Sequence, residues 1–103
     1  MGPYFATVPL NRTGVEEIEN GVERSGNIIP LIIPQEEYRQ LWKTGVFCII
    51  NQSFGLLIDD HESERITAEQ LEKVYEAINI VPGVFMKAVD LAIEHKTSLY
   101  LDF

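Results

Sequence analysis

Positive charge is scarce in this chain. Eight Lys and Arg stand against sixteen Asp and Glu, a net charge of −8 over 103 residues. A field of that sign repels nucleic-acid phosphates and anionic membrane surfaces, and it speeds association with basic surfaces. Direct binding of DNA, RNA or membrane is thereby disfavoured and a basic protein partner is expected, while an acidic exterior also serves plain solubility. Cysteine is nearly absent. Cys48 stands alone, which excludes an intramolecular disulfide, and its place in the apolar run Val46-Phe47-Cys48-Ile49-Ile50 predicts a buried, unreactive thiol. No basic leader with an apolar stretch opens the chain, and no apolar run approaches the roughly 18 residues that span a bilayer, so a cytoplasmic protein is expected. The seven glycines are scattered, with neither a GxGxxG nor a Walker pattern, so no nucleotide cofactor is expected.

What is present suffices for one core. A hydrophobic content of 46% at this length predicts a single compact domain over residues 1–103. Tyr4 to Leu10 alternates as a strand apolar on both faces, and Pro3 and Pro9, lacking donors, push it toward a sheet edge. Val15, Ile18 and Val22 follow helical spacing from Thr13, with Glu16, Glu17 and Glu19 expected in the first turns, where the helix dipole favours anions, and an end near Gly26. Ile28–Ile33 is interrupted by Pro30 and reads as an extended segment. Pro34 suits the start of a helix over Gln35–Thr44, which Gly45 either ends in a left-handed cap or passes through. Val46–Ile58 allows two readings, a hairpin turning at 51–55 or a helix to Gln52 followed by a short strand.

The clearest local signal is Thr67-Ala68-Glu69-Gln70, a capping box that starts a helix with the stripe Leu71, Val74, Tyr75, Ile78. Pro82-Gly83 separates it from a second helix carrying Phe85, Ala88, Val89, Ala92 and Ile93, and the two are expected to pack together. Leu99–Phe103 reads as a closing strand beside the N-terminal one. The fold class expected is α+β, a small sheet including the N- and C-terminal strands packed against about four helices.

Asp59-Asp60-His61-Glu62-Ser63-Glu64 concentrates four carboxylates and an imidazole in six residues. A calcium loop needs alternating carboxylates and a central glycine, and a zinc site needs several His or Cys at short spacing; neither pattern is met, so no metal is expected. Cys48 has no local activating group, and carboxylates in a hydrophilic run are screened by water, so no catalytic residue and no enzyme activity are expected. The plain reading of the run is a solvated loop before a capped helix. The functional reading makes Asp59, Asp60, Glu62 and Glu64 a charged contact surface, with Phe54 as a neighbouring apolar anchor. Tyr38, Trp42, Phe47, Phe54 and Phe85 are expected in the core, with a binding surface as the other reading.

The stretch Val46 to Ile66, with Val-Phe-Cys-Ile-Ile-Asn, Phe54-Gly55 and Leu57-Ile58-Asp59-Asp60-His61-Glu62-Ser63-Glu64, resembles small bacterial immunity proteins that accompany polymorphic or contact-dependent growth-inhibition toxins. The resemblance covers about a fifth of the chain, and the diversity of that group transfers no fixed residues. It implies a cytoplasmic protein, for which a monomer is favoured, that occludes a cognate toxin domain, often a basic nuclease. Two alternatives come from other classes: a nucleic-acid mimic of the phage type, which needs acids in a regular strip, and an oligomeric structural or regulatory subunit.

Overall fold

The computed structural model describes residues 3–103. Alternation in the first strand decides which way the sheet faces. β1 (Tyr4–Pro9) turns Tyr4, Ala6 and Val8 into the core, while Phe5 and Thr7 point away from it. It pairs antiparallel with β2 (Ile28–Ile33) along its whole length, and over Phe5–Thr7 with β4 (Ser98–Asp102). β3 (Ser63–Thr67) completes the antiparallel sheet in the order β2-β1-β4-β3. The terminal strands are therefore neighbours, as expected, but β1 lies inside the sheet and not at its edge. Pro9 is tolerated because it sits beyond the stretch paired with β4, where a missing N–H breaks no ladder bond. Its carbonyl accepts the Thr97 hydroxyl at 2.7 Å. The proline within a strand on an edge is Pro30, in β2.

α1 (Arg12–Glu19) begins at Asn11, whose side chain accepts the Gly14 N–H at 2.9 Å. It ends at Asn20, with Gly21 in the left-handed region at φ 85°, well short of Gly26. Its glutamates consequently sit toward the C-terminal end, where the helix dipole disfavours them. Other partners compensate: Glu17 accepts from Ser25 at 2.7 Å and Glu19 from Tyr100 at 3.0 Å. Gly14 is buried against Pro9 and the Asn27 carbonyl, and a Cβ there would collide with that carbonyl.

The other helices are α2 (Gln35–Lys43), α3 (Val46–Phe54), α4 (Ala68–Ile78) and α5 (Val84–Glu94), with α5 lying against β1, β2 and β4. The α+β class is as expected. Gly45, at φ 83°, breaks α2 from α3 with a left-handed residue. Neither the hairpin nor the short strand expected within Val46–Ile58 forms: α3 runs to Phe54 and an unpaired loop follows. The Asn51 side chain stands in for a strand partner, accepting the Ile58 N–H at 2.8 Å and donating to its carbonyl at 3.1 Å. Val46, Phe47 and Ile50 form the inward side of α3, which leaves Cys48 on the outer side, exposed and not buried as expected. β3 was hidden in the sequence by its charge, because only Ile66 of its five residues is buried. The capping box at Thr67 closes as read, with Gln70 N–H to the Thr67 hydroxyl at 3.2 Å and Thr67 N–H to the Gln70 side chain at 2.9 Å.

One cluster of buried side chains joins the sheet to the helices. At one end of it Tyr4 stacks on Tyr38 with centroids 3.6 Å apart, and Phe103 meets Tyr38 edge-on at 5.0 Å. Phe47 packs edge-on to Trp42 and Phe85. Tyr38, Phe47 and Phe85 are thus core residues, and Trp42 and Phe54 pack against the core half-buried. Among the described residues no helix is long and apolar enough to cross a membrane.

Candidate interaction surface

The acidic segment is a tied-down loop. Asp59 accepts the Asp60 N–H on its carboxylate at 2.8 Å and the Glu62 N–H on its carbonyl at 3.3 Å. His61 between them adopts the left-handed conformation at φ 65°, uncommon for a residue other than glycine. The Tyr38 hydroxyl, rising from the aromatic cluster, donates to the Asp60 carboxylate. The Glu62 carbonyl accepts the N–H of Phe103 at 3.1 Å, which ties the loop to the C-terminal residue. Glu64, already in β3, turns back to accept the Leu57 N–H at 2.8 Å.

These contacts divide the expected contact residues. Asp59, Asp60 and Glu62 are exposed side by side, Glu64 is half-buried as a fastener, and Phe54 is half-buried against the core. The apolar group that does stand in water near the acids in sequence is Leu57, 74% exposed and, among the described residues, the most exposed of the large hydrophobic side chains. The sequence offered only a faint signal for it: Leu56, Leu57 and Ile58 form an apolar triplet after Gly55, and only Ile58 is buried. Burial, and then the hydrogen bond to Asp60, push the Tyr38 phenol well above its ordinary range. The phenol therefore remains a donor at every physiological pH and the loop stays anchored.

A second surface lies on the sheet face away from α5. Phe5, Thr7, Ile32 and Tyr100 floor a groove of about 800 Å³, walled by Ile18 and Val22. Ile32 is 55% exposed and Val22 39%. Arg65 crosses it, 5.8 Å from the Tyr100 ring centroid, with Nη1 3.5 Å from Glu19. Burial, then the hydrogen bond to Glu19, raises the Tyr100 phenol to about 12. At the loop end of the groove Ser63 donates to Asp102 at 3.2 Å. The groove and the acidic loop therefore meet where β3 begins and β4 ends. The groove had no signature in the sequence, because Phe5, Thr7 and Tyr100 read as the outward half of an ordinary strand alternation and Ile18 and Val22 as the apolar side of a helix.

Among the described residues no group of three or more His, Cys, Asp or Glu is placed to hold a metal ion. No protein-family model matches the chain, and neither a curated protein nor a solved structure matches it significantly.

Proposed function

We propose that the protein acts in the cytoplasm by binding, as a monomer, a basic protein partner and neutralising it, in the manner of bacterial immunity proteins and with no chemistry of its own. The observation that carries this reading is Leu57, mostly exposed in a hydrogen-bonded loop beside Asp59, Asp60 and Glu62. An apolar side chain held out on a preorganised support, with a polar rim nearby, matches the anatomy of a protein–protein contact patch and lowers the ordering cost of binding. The acids steer a cationic surface inward and the desolvated Leu57 slows its release. Glu64 holds Leu57 in place by accepting its N–H.

Affinity capture from the native cell, with the captured protein then produced alone and together with this one, tests the proposal. The expected result is a basic protein whose toxicity is relieved by co-production of the wild type. Co-production of the variant Asp59→Asn/Asp60→Asn/Glu62→Gln/Glu64→Gln is expected to relieve it much less. Those isosteric changes keep the acceptors used by Tyr38 and Leu57, so the loop stays built while its charge is lost. Equal protection by the wild type and the variant would remove the acidic loop from the interface.

A further inference from the structure

Basic side chains gather at the opposite end of the sheet. A cavity of about 290 Å³ opens where α1 and β4 begin, and Arg12, Arg65, His95 and Lys96 line it together with Thr97 and Ser98. No carboxylate lines it, although acids outnumber bases two to one along the chain. Three of the eight Lys and Arg converge there. Their existing ties are loose: Arg12 lies 3.6 Å from Glu16 with both side chains exposed, Arg65 lies 3.5 Å from Glu19, and His95 lies 3.3 Å from Glu94. Among the described residues no carboxylate comes within ion-pair distance of Lys96.

The backbone fixes where these groups sit. Arg65 Nε donates to the Ser98 hydroxyl at 3.1 Å, which fixes the guanidinium where the cavity borders the outer groove. At the end of α5 the Thr97 N–H reaches the Ala92 carbonyl at 3.0 Å and the Lys96 N–H the Ile93 carbonyl at 3.1 Å. That is a Schellman turn with a lysine, at φ 54°, in the left-handed position where glycine is usual. α1 adds the positive end of its dipole from the other side.

We propose that this cavity binds a phosphate group, with Arg12, Arg65 and Lys96 as its charged donors and His95 at its rim. Its volume equals about ten times the share of one water in the liquid, which leaves room for a small ester beside the phosphate. The test is a titration of the full chain with inorganic phosphate, followed by amide nuclear magnetic resonance at ionic strength held constant with chloride. Amides of Arg12, Thr13, Lys96, Thr97 and Ser98 are expected to shift saturably. The variant Arg12→Gln/Lys96→Gln should weaken binding about tenfold or more, since it removes two charge-assisted hydrogen bonds. A charge-matched control, Lys43→Gln/Lys87→Gln, should leave the affinity unchanged. A parallel titration with glycerol phosphate separates two sources of the ligand: equal affinity assigns a site for the bare phosphate group, and tighter binding assigns one for a phosphate ester. Shifts that both variants show equally, or that follow ionic strength alone, would overturn the proposal.

Discussion

The Tyr38 hydroxyl donates from the aromatic core to the Asp60 carboxylate in the acidic loop. Tyr38 belongs to the aromatic cluster, stacked on Tyr4 and met edge-on by Phe103, and its hydroxyl is the group through which the core holds the loop. Tyr38→Phe removes that donor and leaves the packing in place. A loss of about 1–2 kcal/mol is expected in denaturant unfolding, between the values for neutral and charged hydrogen bonds because the Asp60 side of the pair is exposed. Amide exchange at residues 59–62 should accelerate more than exchange in α4, which takes no part in the bond. Little of this was legible beforehand, because pairing residues 38 and 60 requires the tertiary fold. The acids themselves were plain in the sequence, while Leu57 was not, since an isolated leucine carries no signal of exposure until the buried side of its triplet is known. Cys48 misled for a related reason: an all-apolar run on a short helix still has one outward face.

At the scale of elements, the start of α5 shows how one helix fixes another. Gly83 precedes the helix with no side-chain cap of its own. Glu37 of α2 supplies the cap across space, its carboxylate accepting the N–H groups of Val84 at 2.9 Å and Phe85 at 2.7 Å. The carboxylate satisfies two orphan donors and complements the positive helix end. Glu37→Ala is therefore expected to destabilise the fold by about 1–2 kcal/mol in thermal or denaturant unfolding. Glu37→Gln, which keeps an acceptor, should lose less. Gly83→Ala should also destabilise, since its φ of 154° strains any side chain and the new Cβ would strike Glu37.

Elements with local signals were the ones the sequence revealed: the capping box of α4, the Pro-Gly break before α5, and the alternation of β1 and β4. Those decided by long-range pairing stayed hidden. β3 earns its strand from β4 alone, and β1 becomes central only because β4 returns beside it.

On the scale of the whole molecule the sheet is electrically polar. β4 starts behind His95 and Lys96 and ends at Asp102 beside the acidic loop, a separation of about 13 Å from the first to the last strand residue. Alkaline pH probes how tightly the molecule is closed around its phenols. The Tyr100 phenol is raised from 10.0 to about 12 by burial and by Glu19, and Tyr38 is raised further in the same direction. Between the ordinary tyrosine value and those of the native state, the unfolded chain binds fewer protons than the folded one, so stability falls as pH rises and is fully kept below pH 10.0. Spectroscopic titration should accordingly show a delayed fraction of tyrosinate, released together with unfolding.

If the concentrated charge of the Asp59–Glu64 loop captures a basic partner, as proposed, it shows first in the rate at which the two associate. Rapid-mixing measurements across a range of ionic strength, on the wild type and on the fourfold Asn/Gln variant, should show a rate that falls steeply with salt for the wild type. For the variant the rate should be lower and nearly flat, with unfolding stability changed far less than the rate. Identical rates and identical salt slopes for the two proteins would contradict the account.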